Sequence, residues 1–440
     1  MSKRSWLLGL GALVLIGLLL ACGSNYDASQ DGLLLVGSQG SGLIETFSFT
    51  LSNGHVSAIA NTPIDTSSQT CVLNGVPGSM VIDPAGVYAY AIISKNPSCS
   101  GSKTGIATFK VSSDGNITQV GSLIADPSVV SLSMDPAGKF LFSAEGGDSI
   151  STSPNPTACP GTTAQYGVCS YTIGSGGTLT GVQGTFTFTN GPGFQNPNIV
   201  AIAPTPTVFP NIGISGVQNA VCSAPGNNPP TAQFLYAVDS VNYVVWEFSV
   251  DITSGALGNP PSKASVASFP ADQVPLGVAV DPCDRFAYVS DSLTNKVSAY
   301  QICSVVMQPT CVVADGSLVP IAGSPFLLAG GANAPGPIVV DPYGNYVYTL
   351  GTLSNTISPF KISPVTGALT AFSTPTIATG VGPVSIVIRG DDNWMFVANY
   401  GNTALGGSTV SQYSIAPSTG LLTAEPVIPT DNYPWGLAVK

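Results

Sequence analysis

Few residues of this 440-residue chain could carry acid–base or nucleophilic chemistry. It has one histidine, His55, inside an Asn-Gly-His sequence that reads as an exposed turn. Beyond the first few residues the arginines are Arg285 and Arg389. Serine and threonine are plentiful but have no neighbouring base, and the sequence contains no Gly-x-x-x-x-Gly-Lys, His-Glu-x-x-His or Gly-x-Ser-x-Gly. The remaining candidates are acids and amides that close apolar runs: Glu145, Asp148, Asp239, Asn242, Asp291, Asn295, Asn399 and Asn402, with Tyr400, Tyr433 and Trp435 beside them. Carboxylates with amides can hold Ca²⁺ or a sugar hydroxyl, and aromatic faces can stack on a sugar ring. No other cofactor is called for.

These residues are positioned by a repeat. Pro275–Val280, the turn Asp281-Pro282-Cys283-Asp284 and Phe286–Asp291 read as strand, tight turn and strand. In such a turn Asp hydrogen-bonds its own downstream backbone, Pro fixes φ at the corner, and Gly or Asp tolerates the exit. The turn recurs as Asp83-Pro84-Ala85-Gly86, Asp135-Pro136-Ala137-Gly138 and Asp341-Pro342-Tyr343-Gly344. Degraded copies follow Ile199–Ile202 and Ser385–Ile388, and Gly436–Val439 is a seventh copy of the first strand. A second unit tracks the first: an alternating strand such as Ser298–Ile302 or Ser411–Ile415, a Gly turn, and a short strand such as Gly367-Ala368-Leu369-Thr370. Seven units of four short strands without helical periodicity predict an all-β, seven-bladed β-propeller over residues 31–440. The first unit lacks an inner strand and the last is only an inner strand. The predicted closure therefore pairs Gly436–Val439 with Leu33–Ser38 in one blade.

Residues 1–21 stand outside that repeat. Lys3 and Arg4 precede the uncharged run Trp6–Ala21, which ends Leu19-Leu20-Ala21-Cys22. The run is short for a membrane span and has the layout of a secretory signal. Its end resembles the bacterial lipobox, which implies a chain lipidated at Cys22 with 22–30 as a tether. The expected location is the bacterial envelope, in the outer membrane on its periplasmic or surface side. With 12 basic and 23 acidic side chains the net charge is −11. That excludes nucleic acid, which needs clustered Lys and Arg. It also leaves the lipid as the only membrane contact.

Eight cysteines follow Cys22, an even number in an exported chain, so disulfides are expected. If inner strands run from an upper to a lower face, Cys71, Cys99, Cys159 and Cys169 fall in upper loops. Cys222, Cys283, Cys303 and Cys311 fall in lower ones. A disulfide needs Cα atoms within about 7 Å, so cross-face pairs are excluded. Nearness favours Cys71–Cys99, Cys159–Cys169, Cys222–Cys283 and Cys303–Cys311. Insertions at 143–169 (upper) and 204–232 (lower) interrupt the spacing.

The repeat Gly277-Val278-Ala279-Val280-Asp281-Pro282, followed by Tyr288-Val289-Ser290-Asp291 or Phe396-Val397-Ala398-Asn399, resembles the lactonase-type seven-bladed propellers. These include 6-phosphogluconolactonase-like proteins and YVTN repeat proteins. The resemblance implies a lactonase whose His, Arg and Glu side chains surround the mouth of the central channel. This chain departs from that pattern, because Arg285 and Arg389 fall at the lower ends of strands and His55 on an outer turn. The main expectation is therefore a monomeric, non-catalytic module that binds a protein or glycan at the envelope. A lactonase using carboxylates or a metal is the alternative, and a structural part of an envelope assembly is the third reading. An acidic pair facing the channel would favour the enzyme; an uncharged aromatic patch would favour binding.

Overall fold

The computed structural model describes residues 31–39, 42–59, 64–65, 79–94, 104–126, 128–146, 167–182, 198–205, 233–259, 267–303, 316–401, 408–431 and 433–440. These residues form seven antiparallel sheets. The inner strands are Pro434–Val439 (blade 1), Met80–Ile82 (blade 2), Val129–Met134 (blade 3) and Ile199–Pro204 (blade 4). Blades 5 to 7 begin with Pro275–Val280, Pro335–Val340 and Pro383–Ile388. Each inner strand touches the next, and the series closes from blade 7 through blade 1 to blade 2. Blade 1 combines both ends of the chain as expected, with Leu34 opposite Val439 and Ser38 opposite Pro434. In blades 1 and 4–7 the outermost element is two short strands rather than one.

The Asp-Pro turns behave as their chemistry requires. Asp83 Oδ1 accepts the N–H groups of Val87 and Tyr88, and Asp341 Oδ1 those of Asn345 and Tyr346. The exit residue is left-handed at Gly86, Gly138 and Gly344, and also at Asp284 and Asp392.

A second device locks neighbouring blades. The turn between third and fourth strands carries a glycine whose carbonyl accepts a side-chain donor from the preceding blade. Tyr90 reaches Gly177, Ser170 reaches Gly255, Tyr236 reaches Gly316, Tyr288 reaches Gly367 and Tyr348 reaches Gly420. Gln412 of blade 7 reaches Gly54 of blade 1. The apolar core lies between blades: one cluster joins Leu34, Val36 and Leu437 to Trp394 and Phe396, and another joins Leu33, Leu35 and Ala438 to Ala89 and Ala91.

Several expectations need correction. The third-blade insertion is shorter than 143–169, because Ser143–Glu145 finish one strand and Cys169 lies inside the next, Val168–Ile173. Likewise Pro204 ends an inner strand rather than opening a loop. Cys169, Cys283 and Cys303 take part in disulfides. Cys71, Cys99, Cys159, Cys222 and Cys311 lie outside the described residues, as do Cys22, Asp148 and Asn402, so the pairings stay expectations.

Candidate functional site

The inner strands contain no Asp, Glu, Lys, Arg or His among the described residues: MVI, VVSLSM, IVAIAP, PLGVAV, PGPIVV, PVSIVI and PWGLAV. The channel wall is therefore apolar, and ionisable groups are confined to its two ends. At the lower end Arg285 grips Asp281 at 2.7 Å and donates to the carbonyls of Gly344 and Pro364. Arg389 donates to the Lys440 carbonyl at 3.0 Å and pairs with Asp391. His55 is exposed in its turn, with its N–H on Asn53 Oδ1. Neither arginine is at the upper mouth.

At the upper end most sequence-predicted residues are engaged internally. Asp239 is fully buried and accepts five bonds, from the N–H groups of Asn198, Val241 and Asn242, the Asn242 amide and the Trp246 indole. Asn242 is thereby a turn residue. Asn295, left-handed at φ 57°, accepts the Ala334 N–H and ties blade 5 to blade 6. The Asn399 amide is spent on Thr409 and Ser411. Asp291 is buried with one oxygen on the Ser298 N–H and hydroxyl. Burial, with the Asp272 charge behind it, pushes Asp291 up to about 7.

Glu145 does belong to an acidic pair, with Asp126, which sequence reasoning missed. Both are buried at the upper end of blade 3. Glu145 accepts the hydroxyls of Ser143 (2.6 Å) and Ser128 (3.0 Å), and Asp126 accepts the Tyr171 hydroxyl (3.2 Å). Burial first, then the neighbouring Asp126, holds Glu145 well above the ordinary carboxylate range. Two carboxyls this close share a proton. Cys169 Sγ is within reach of both. Its disulfide removes the thiolate that would make the trio a strong metal set. The pair is closed in by its own hydroxyls, so it is a buried acid pair rather than a channel-facing one.

What the structure does bring together at the mouth is aromatic. Tyr400 stacks on Tyr433 with centroids 4.8 Å apart and 28° between planes, and meets Trp435 edge-on at 5.4 Å and 85°. All three are half-buried. Their placement follows from a recurrent β-bulge. The first inner-strand residue pairs with the last residue of the second strand in blades 1, 3, 4, 5 and 7, and the ladder then skips one residue. The skipped residues are Trp435, Val130, Val200, Leu276 and Val384. Bulges re-aim side chains where pairing ends, and here they ring the upper mouth. In the third strand of blade 1, Leu43–Thr50, Glu45 accepts the Asp431 N–H at 3.0 Å and the Ser38 hydroxyl at 3.1 Å. Burial raises its pKa against the pull of those two bonds, which makes it a weaker acid than a solvated carboxylate. Glu45 has no sequence signature beyond opening a third strand.

Residues 227–430 match the family model described as lactonase, 7-bladed beta-propeller. No curated protein matches the sequence. Among solved structures, the chain is similar to the periplasmic gluconolactonase of Pseudomonas aeruginosa, at 14% identity and a TM-score of 0.62, over 93% of this chain and 99% of that one. It is also similar to a provisionally named 6-phosphogluconolactonase of Bacteroides fragilis, at 17% identity and a TM-score of 0.62, over 93% and 98%. A protein of Lactobacillus plantarum gives 14% and 0.64, over 93% and 99%. Similarity to the lactonase family is thus shown by sequence for residues 227–430, and the solved structures show a shared fold over nearly the whole chain.

Proposed function

We propose that this chain is a lactone hydrolase working at the upper mouth of the propeller. The observation that carries the reading is the match of residues 227–430 to the lactonase family model. With both arginines engaged at the lower end and His55 on an outer turn, activation of water falls to a carboxylate. Glu45 suits the task because it is half-buried, holds the backbone N–H of Asp431 at the upper end of blade 1, and is a stronger base than a solvated carboxylate. Water attacks the lactone carbonyl as Glu45 takes its proton. The ring C–O bond then breaks, and the departing oxygen receives that proton to give the open hydroxy acid.

The test is pH-stat hydrolysis of D-glucono-1,5-lactone against its spontaneous rate. A rate above background that falls about 10²-fold or more in Glu45→Gln is expected; no excess rate in the unaltered chain overturns the reading. The second reading, a non-catalytic binder of a protein or glycan at the envelope, is favoured by the apolar channel wall and the aromatic mouth. Export and lipidation at Cys22 belong to the same proposal and rest on the Leu19–Cys22 run. Cys22→Ser should move the protein from the membrane to the soluble fraction. Unchanged fractionation removes the anchor.

A further inference from the structure

We propose that the lower end of the junction between blades 6 and 7 is a calcium site, held by the carboxylates of Asp341 and Asp392. The site is independent of any reaction at the upper mouth.

The repeat decides which groups meet there. In three blades the exit residue of the lower turn points at the end of the preceding blade. A Cβ on Gly86 would stand 2.1 Å from Lys440, on Gly138 2.8 Å from Pro84, and on Gly344 2.2 Å from Asp281 Oδ1. Between blades 5 and 6 that space belongs to a guanidinium. Arg285 donates to both oxygens of Asp281 and to the carbonyls of Gly344 and Pro364. One junction further on, the turn acid is Asp341, and the arginine position is taken by Asn345, which is shorter and uncharged. The exit residue there is Asp392 in place of a glycine, left-handed at φ 57°. Its carboxyl therefore enters from blade 7 the space that Arg285 fills one junction earlier. The Tyr343 hydroxyl, donated to the Asp391 carbonyl at 3.4 Å, ties the two turns together.

Two acids thus face one enclosed space. Asp341 is fixed by the N–H groups of Tyr343, Asn345 and Tyr346. Asp392 is fully buried, and among the described residues neither of its oxygens has a hydrogen-bond partner. A buried polar group of this kind calls for an ion or a water. Burial and the Asp341 charge push Asp392 up to about 8, as two carboxyls sharing a space require. The protein's own cations are committed elsewhere. The basic residues of 335–440 are Lys361, Arg389 and Lys440. Lys361 is exposed, Arg389 pairs with Asp391, and the Lys440 side chain lies against Gly86 of blade 2. The lower-face insertion at 204–232 contains no Lys or Arg. Repeat equivalence supplies further ligands: the Gly344 and Pro364 carbonyls that serve Arg285 correspond to those of Asp392 and Pro417. Carboxylates with backbone carbonyls suit Ca²⁺, which takes roughly six to eight oxygens, better than Mg²⁺, which demands a strict octahedron. In calcium-free buffer Asp392 keeps a proton instead.

The test uses the purified chain after exhaustive chelation, with CaCl₂ or MgCl₂ added back at constant ionic strength. Calorimetry should show saturable calcium binding, half-complete at about 10⁻⁵–10⁻³ M. Calcium should raise Tm by several degrees, and Mg²⁺ at the same concentration by markedly less. Asp392→Asn keeps a residue that tolerates the left-handed turn and should weaken calcium about tenfold or more. Asp392→Gly, which restores the turn of blades 2, 3 and 6, gives the same readout where the Asn variant does not fold. Asn345→Arg transplants the arrangement of blade 5. It should raise Tm in chelator and abolish the calcium response. No calcium-dependent shift in the unaltered chain overturns the site. An equal shift with Mg²⁺ does so too, since it marks general screening of the −11 net charge. A calcium response unchanged in folded Asp392→Asn or Asp392→Gly places the ion elsewhere and removes the proposal.

Discussion

Asp392 shows how a single residue can sit against the grain of a repeat. It exits the lower turn of blade 7 at φ 57°, where Gly86, Gly138 and Gly344 serve blades 2, 3 and 6. It is fully buried, and neither carboxylate oxygen has a hydrogen-bond partner. Burial, then the Asp341 and Asp391 charges, pushes it up to about 8 from 3.8, so it is protonated at neutral pH. Its folded value lies above its unfolded one. Its stabilising contribution is therefore full below about pH 4 and is lost as pH rises toward 8. Asp341, raised to about 6, and Asp291, raised to about 7, act in the same direction. The protein should melt lower at pH 8 than at pH 5. Asp392→Gly relieves left-handed strain and an unsatisfied buried acid, together worth about 1–3 kcal/mol. It should raise Tm by several degrees and flatten the pH dependence. Thermal melts at the two pH values check this, and a lowered Tm would contradict it.

At the scale of the element, the blade-to-blade staple makes a sharper demand than the strands themselves. Tyr288→Phe removes one hydroxyl from the Gly367 carbonyl at 3.0 Å and should cost about 1 kcal/mol. Gly367→Ala should cost more. Its Cβ would stand 2.4 Å from Phe286 and 2.6 Å from Ile321 at φ +70°, adding overpacking of about 1–3 kcal/mol to backbone strain. Urea melts should show a lower midpoint at unchanged slope for both, in that order.

The same element explains what could be read in the sequence. The Gly turn and its strand were visible, because turn chemistry acts within a few residues. The staple was not, because Tyr288 and Gly367 are 79 residues apart. Asp239, Asp291 and Asn399 read as ligand residues in the sequence because a polar group ending a strand looks the same whether it faces a ligand or closes a hairpin. Only the bonds around Asp239 separate the two. Strand parity puts Trp435 and Tyr400 at the upper ends of their strands, but the bulge that aims Trp435 depends on register, which one sequence does not display. Glu45 and Asp126 carry no sequence signal because their neighbours come from other strands and turns.

For the whole molecule the decisive feature is closure. The ring depends on Pro434–Val439, which Leu33 and Lys440 anchor by reciprocal backbone bonds of 3.3 and 2.9 Å, and Arg389 holds the Lys440 carbonyl from blade 7. Leu437 packs toward blade 7 and Ala438 toward blade 2, so one strand completes two inter-blade cores. Deleting residues 434–440 would open both, leave the edge of Asp31–Ser38 unpaired and remove one seventh of the channel wall. Burial of each large apolar side chain is worth about 1.5–3 kcal/mol, and a cavity at Leu437 alone should cost about 2–5 kcal/mol in Leu437→Ala. Domains hold only about 5–15 kcal/mol in all. The deletion should therefore unfold or aggregate the protein, and Leu437→Ala should fold with a clearly lowered Tm. Arg389→Gln, which loses an ion pair but keeps the strand, should lie between Leu437→Ala and the unaltered protein. A truncated chain that kept the full melting temperature would show that the ring does not depend on joining its two ends.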